Sequence, residues 1–167
     1  MSEGTDMQVI AIAAVADNGV IGSGEDMLWH IGEDFRRFKQ VTMGHTLVFG
    51  RRTFEQIGKL PGRRHIVCTR DPDWSAEGVD VAFSVPRAVE MARAAGEDIC
   101  FIAGGAQIYA AAMELCTGLD ITAVHRSPEG AARFPEIAAS RWREVSRNRR
   151  DGFDFVQFRP LESRSEG

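Results

Sequence analysis

The sequence has no hydrophobic run of membrane-spanning length, so a transmembrane helix is not expected. It shows no internal repeat and no low-complexity linker, which argues against a solenoid or a string of tethered modules. Basic charge is not in excess: 20 Lys and Arg stand against 24 Asp and Glu, and the net charge of −4 offers no general attraction to nucleic acid or anionic lipid. An anionic ligand must therefore be met by local cations. Cysteine is scarce and odd in number, with Cys68, Cys100 and Cys116 far apart and two of them inside apolar runs. They read as buried thiols of a protein kept in a reducing compartment. No His-Cys cluster suggests a metal site. No Gly-x-Gly-x-x-Gly follows the first apolar run, which argues against a Rossmann dehydrogenase. The opening Met-Ser-Glu-Gly-Thr-Asp-Met is polar and acidic where a signal peptide is basic and then apolar, so a cytoplasmic location is expected.

What is present is ordinary globular material: 167 residues, 44% hydrophobic and 26% charged, enough for one domain with a core and a cleft. Residues 7–160 are expected to fold, with 1–6 and 161–167 as frayed polar tails. Met7–Ala16 is almost continuously apolar, as suits a central strand covered on both faces. Shorter runs rich in branched residues follow at Thr46–Phe49, His65–Thr69, Val79–Phe83, Ile99–Ala103 and Leu119–Val124. Between them fall helical candidates at Glu33–Gln40, Arg52–Ile57, Val85–Ala95 behind a Ser84 cap, and Ala106–Leu115. Alternation of this kind predicts an α/β sheet. Trp142–Asn148 and Phe153–Phe158 flank an Arg150-Asp151-Gly152 turn, where Asp-Gly signals an antiparallel C-terminal hairpin. Asp17 to Leu28 is polar and glycine-containing, long enough to be a mobile cover.

Two kinds of chemistry stand out. Asp34 lies in the first turn of a helix that also carries Phe35 and Phe38, a carboxylate among aromatic rings. The helix macrodipole alone would favour an acid there, so the surrounding residues must decide. Gly50-Arg51-Arg52-Thr53 closes a strand and opens a helix, placing free N–H groups beside two cations, and Ala103-Gly104-Gly105-Ala106-Gln107 repeats the device. Both are candidate phosphate sites.

Several motifs in order, from Ile12-Ala13-Ala14-Val15-Ala16-Asp17-Asn18 through Val20-Ile21-Gly22, Met27-Leu28-Trp29, Asp34, Phe38, Lys39, Thr42 and Gly50-Arg51-Arg52-Thr53-Phe54-Glu55, resemble the dihydrofolate reductases. The resemblance continues through Leu60-Pro61-Gly62-Arg63-Arg64, Ala103-Gly104-Gly105-Ala106-Gln107-Ile108-Tyr109, Thr122 and Phe134-Pro135, and so covers nearly the whole chain. It implies a single domain with a central mixed, mostly parallel eight-stranded sheet, about four flanking helices and NADPH as reductant.

For the substrate, the resemblance implies that Asp34 hydrogen-bonds the pterin, whose ring N–H and amino group match two carboxylate oxygens. Ile12, Ala13, Phe35, Phe38, Ile57, Leu60, Ala103 and Tyr109 would line the substrate pocket. Thr122 would bond the carboxylate, Trp29 would help hold a water, Met27 would shield the reacting atoms and Arg63 would clamp the glutamyl carboxylate. For the cofactor, it implies Ala14, Ile21, Gly50, Arg51, Arg52, Thr53, Gly104, Gly105, Ala106, Gln107 and Ile108, with Arg51, Thr69 and Arg70 at the 2′-phosphate and a cis Gly104-Gly105 peptide.

The chain also departs from the pattern. Leu28 and Gly32 stand where prolines are usual, the segment around Lys59 is one residue short, Ala103 replaces a larger branched residue, and Ala131 replaces an acid that bonds the mobile loop. The implied reaction is hydride transfer to the pteridine imine carbon and protonation of the adjacent nitrogen, with water as the proton donor and Asp34 assisting electrostatically. A monomer acting on dihydrofolate, blocked by antifolates and feeding one-carbon metabolism and thymidylate synthesis, is expected. A riboflavin-pathway-type pyrimidine reductase and a noncatalytic NADPH-binding module are the alternatives.

Overall fold

The computed structural model describes residues 6–22, 32–130 and 132–161. Among these, the principal strands are β1 (Gln8–Ala16), β3 (Thr46–Gly50), β4 (Arg64–Cys68), β5 (Asp80–Ala82), β6 (Ile99–Ile102), β7 (Gly118–Val124), β9 (Trp142–Arg149) and β10 (Phe153–Pro160). They form one eight-stranded sheet in the order β5-β4-β3-β6-β1-β7-β10-β9. The pairs from β5 to β7 are parallel, and β10 is antiparallel to both neighbours. This is the mixed, mostly parallel sheet expected, with β1 inside it between β6 and β7.

Period-two alternation divides the core between the two faces. Val48, Ile66, Cys68, Cys100 and Ile102 join one cluster, while Leu47, Phe49, Val67 and Phe101 from the same strands join the other. Helix α3 (Val85–Ala94) and helix α4 (Ala106–Ala112) cover the first face through Ala88, Val89, Ala92 and Tyr109. Helix α1 (Gly32–Thr42) and helix α2 (Arg51–Ile57) cover the second through Phe38, Val41 and Phe54. The residues of β3 from Thr46 to Phe49 are all buried, which is why the run reads as continuously apolar after its first residue. Helix α3 starts where Ser84 accepts a bond from the Arg87 N–H at 3.2 Å. The hairpin closes with Arg150 N–H donating to the Phe153 carbonyl at 2.9 Å, and Gly152 takes φ +86° in the turn.

Two expectations need correction. The helix expected over Ala106–Leu115 ends at Ala112 and tightens into a 3-10 turn at Met113–Leu115. The segment from Asp17 to Leu28, expected to be a mobile cover, contains a strand, β2 (Val20–Gly22), which pairs antiparallel with β8 (Ala132–Arg133). These strands are three and two residues long, too short for alternation to be visible in a sequence. Met27, Leu28 and Trp29, the residue Ala131, and the tails at 1–5 and 162–167 lie outside the described residues.

Candidate active site

A cleft of about 850 Å³ opens along β1, β3 and β6, where Ile12–Ala14, Phe49–Gly50 and Ala103–Gly105 line it. Helix α1 borders one side with Asp34, Phe35 and Phe38, and helix α2 borders another with Arg51, Arg52, Thr53 and Ile57. Leu60, Ile21, Ala106, Gln107, Ile108, Tyr109 and Thr122, also expected from sequence, line it as well. Thus Ile12, Ala13, Ala14, Gly50, Ala103, Gly104 and Gly105 from strand ends meet side chains from three helices in one space.

Asp34 comes from the first turn of α1, while Thr122 comes from β7 across the cleft. The Thr122 hydroxyl donates to Asp34 Oδ1. Burial holds the Asp34 carboxyl above the usual aspartate range, against the lowering effects of the Thr122 bond and the Arg37 charge. The Phe35 and Phe38 rings lie 6.5 Å apart and almost parallel beside it. Phe35 is 48% exposed, an apolar face at the rim, where Lys39 Nζ stands 4.8 Å from its ring centre.

Glycine dominates the opposite rim. The Gly104-Gly105 peptide is cis, and Gly50 N–H donates to the Gly104 carbonyl at 2.7 Å, joining the β3 and β6 ends. Gly104 has φ +116°, and a Cβ there would lie 3.4 Å from the Tyr109 hydroxyl. A Cβ on Gly50 would stand 3.0 Å from Ile108 Cγ1. Glycine at these positions thus lets Ile108 and Tyr109 of α4 pack directly against the backbone, and at Gly104 the positive φ favours glycine in any case. Arg51 points its guanidinium at two carboxylates, Glu55 at 3.2 Å and Asp71 at 3.4 Å.

A dihydrofolate reductase family model matches residues 8–159. The chain belongs to the dihydrofolate reductase family. It is 46% identical over 146 residues to the dihydrofolate reductase of Neisseria gonorrhoeae, covering 86% of this chain and 89% of that one. It is 41% identical over 143 residues to the type 3 dihydrofolate reductase of Salmonella typhimurium, covering 85% and 87% of the two chains. Among solved structures, the dihydrofolate reductase of Enterococcus faecalis complexed with NADP(H) and RAB-propyl superposes with a TM-score of 0.82 at 35% identity, over 93% of this chain and 97% of that one.

Not every anticipated residue faces the cleft. Arg63 does not line it. Its Nε donates to Thr42 Oγ1 at 3.1 Å, and its terminal nitrogens donate to the carbonyls of Pro61 and Lys39, so it ties the end of α1 to the turn bearing Leu60. A guanidinium has five N–H donors, and these bonds engage three. Thr69 and Arg70 also stand outside the lining, just beyond β4, where Thr69 Oγ1 accepts from the Asp71 N–H at 3.2 Å. Asp71 links that turn to Arg51. The cleft also takes Arg37, Phe49, Gln56, Cys68 and Ala132, which sequence reasoning did not place there. Helical spacing could have found two: Arg37 follows Asp34 by three residues and Gln56 follows Thr53 by three.

Two neighbours of the site carry predictions. The Tyr109 hydroxyl, 5% exposed as a residue, donates to the Ile12 carbonyl at 2.7 Å and pins α4 to β1. Tyr109→Phe strands that carbonyl in a buried place and should destabilise the fold by about 1–3 kcal/mol. An unchanged urea midpoint would contradict this. His65 is buried against Phe49 and Phe54, and its Nε2 accepts the Leu60 N–H at 3.0 Å, fixing the segment before Arg63. Burial holds this imidazole below its ordinary value of 6.5. The folded protein thus binds fewer protons here than the unfolded chain, and stability falls as pH drops from about 6.5 through the lowered folded value. His65→Gln should flatten that part of the Tm–pH curve. Parallel curves for both proteins would assign the acid sensitivity elsewhere.

Proposed function

We propose that this chain reduces 7,8-dihydrofolate to 5,6,7,8-tetrahydrofolate with NADPH. The observation that carries the reading is Asp34 held by Thr122 at the apolar end of a cleft whose other end is edged by glycine and cations. Asp34 Oδ1 accepts one bond from Thr122, leaving the acceptor capacity of both oxygens for the side-by-side ring N–H and amino group of a pteridine. Ile12, Phe35, Phe38, Ile57 and Leu60 form apolar walls that would cover the rings and keep water from the carboxylate. The two Arg63 donors left over are the fork we assign to the glutamyl carboxylate.

The residues present fit a pyridine dinucleotide. Gly50, Gly104 and Gly105 line the cleft with backbone alone, and the starts of α2 and α4 have no side-chain cap, so their N–H groups remain free to meet phosphate oxygens. Arg51, Arg52 and Thr53 would hold the phosphates, Thr69 and Arg70 would border the 2′-phosphate, and Ala14, Ile21, Ala106, Gln107 and Ile108 would line the remainder. When bound, NADPH supplies the hydride for the imine carbon. Asp34 holds the pterin ring in place and stabilises positive charge at the nitrogen next to that carbon, while the proton comes from water. We assign Trp29 and Met27 to the same machinery on the family resemblance.

Three buried free thiols support a reducing, cytoplasmic location; on the family resemblance we assign the chain as a monomer serving one-carbon metabolism and thymidylate synthesis, and antifolates would enter the pterin end of the cleft. Mixing protein, NADPH and dihydrofolate should produce a fall in NADPH absorbance. NADPH binding without turnover would instead make this a noncatalytic module. Turnover of a ribosylamino-pyrimidine but not of dihydrofolate would place it with the riboflavin-pathway reductases.

A further inference from the structure

Beside Asp34 lies an ion pair that the reaction as described does not use. Arg37 follows Asp34 by one helical turn on α1, and Asp120 precedes Thr122 by two residues on β7, which places Asp120 and Thr122 on the same sheet face. Arg37 Nη2 donates to Asp120 Oδ2 at 2.9 Å, a charge-assisted hydrogen bond, while Arg37 Nη1 stands 2.9 Å from Asp120 Oδ1 as a close charge contact without hydrogen-bond geometry. The side chains are only 22% and 9% exposed. The pair is therefore screened little by water, unlike a surface salt bridge. The Arg37 guanidinium also stacks 4.7 Å from the centre of the Phe155 ring, and Phe155 is the β10 residue in register with Thr122. Two rungs thus join α1 to β7, Asp34–Thr122 and Arg37–Asp120.

We propose that the Arg37–Asp120 pair is a positioning and charge-balancing element for Asp34: it locks α1 against β7 at the carboxylate and sets opposite charges beside it. The inference rests on the reading of Asp34 as the pterin-binding group, but its physical content concerns the free protein. Among the described residues, the charges that act on Asp34 are Arg37 on its own helix, which favours the ionised form, and Asp120 on β7, which opposes it. From α4 the titratable neighbour is Tyr109, whose hydroxyl is held neutral by burial and bonded to Ile12. Glu33 on α1 is paired with Arg150 of the hairpin at 2.6 Å, and Asp154 on β10 with Arg147 and His125. Phe155 faces the pair from β10 without charge.

The signs separate this role from a merely structural one. In Arg37→Met, Asp34 loses its cation while keeping Asp120, so its carboxyl should titrate at higher pH than in the parent. In Asp120→Asn the cation is left unopposed, so Asp34 should titrate at lower pH. The double variant Arg37→Met/Asp120→Asn should return toward the parent. A purely structural pair would instead affect Asp34 in the same direction whichever partner is removed. The measurement is carboxyl-carbon NMR titration of the ligand-free protein, with the Asp34 resonance identified by its loss in Asp34→Asn. Opposite displacements support the proposal; no displacement, or displacement in one direction by both single variants, overturns it. Removing one member of a buried pair can unfold a protein. Should Arg37→Met not fold, the nearly isosteric Asp120→Asn decides alone, because an unchanged or raised Asp34 titration contradicts the proposal. Failure of the functional reading would show separately, as a parent protein that does not turn over dihydrofolate.

Discussion

Asp34→Asn should lower turnover of dihydrofolate at neutral pH by roughly a hundredfold or more, because charge stabilisation and assistance to protonation are each worth at least that order. The amide keeps the shape of the carboxylate, and its oxygen can still accept from Thr122, so fold and NADPH binding should survive. Stability should change in the opposite sense from activity. Burial raises the folded-state titration of Asp34 above the unfolded value of 3.8. Between those two values the folded protein binds more protons than the unfolded chain, so stability declines as pH rises through that window and stays reduced at neutral pH. The Asn variant escapes this penalty and should melt no lower than the parent. At low pH, where the substrate takes its proton from solvent, the missing carboxylate matters less and part of the activity should return. A pH–rate profile with the hydride step read by single turnover, beside a melting curve for each protein, tests both halves. An Asn variant as fast as the parent at neutral pH would return Asp34 to the ordinary role of an acid at a helix start.

Parts of this protein buried on two faces are legible in sequence, because burial on both sides leaves an unbroken apolar run. The strands β3, β4 and β6 were found within a residue or two for that reason. Asp151-Gly152 marked the hairpin through backbone chemistry that operates within four residues. β2 and β8 were invisible because each is defined by its partner, more than a hundred residues away, and not by its own pattern. The site divides in the same way. Its carboxylate, aromatic walls and glycine turns each have a local signature, whereas nothing local marks Arg37 and Asp120, which meet only where α1 packs against β7. Ile12 stands opposite Asp120, and Ala14 opposite Thr122, so one strand pair aligns the apolar wall with both polar rungs. Arg63 shows the converse: its sequence position suggests a carboxylate clamp, but its bonds to Thr42, Pro61 and Lys39, which give it a structural task, depend on tertiary packing.

Cofactor choice provides the other large effect. NADPH should be used far more efficiently than NADH, and Arg51→Ala should remove roughly tenfold to hundredfold of that advantage, the worth of charge-assisted hydrogen bonds to a phosphate. Arg51 is placed for the task at the first residue of α2, on the wall of the cleft, with its guanidinium 5.7 Å from the centre of the Trp74 ring. Its present partners, Glu55 and Asp71, are both substantially exposed, so water can solvate them when a phosphate takes their place. A phosphate carries more charge than either carboxylate and presents several acceptor oxygens, so the exchange favours the phosphorylated dinucleotide. Glu55 and Asp71 impose a second condition: without the 2′-phosphate, Arg51 keeps its carboxylate partners and has no reason to turn to the ribose. Glu55→Gln should therefore tighten NADPH binding and leave NADH nearly unchanged. The measurement is kcat/KM with each dinucleotide for the parent, Arg51→Ala and Glu55→Gln, together with fluorescence titration of binding at low and high salt. Exposed ionic contacts weaken as salt rises, so the NADPH advantage should shrink with ionic strength in the parent and change little in Arg51→Ala. Equal efficiency with both dinucleotides in the parent would remove Arg51, Thr69 and Arg70 from the cofactor site.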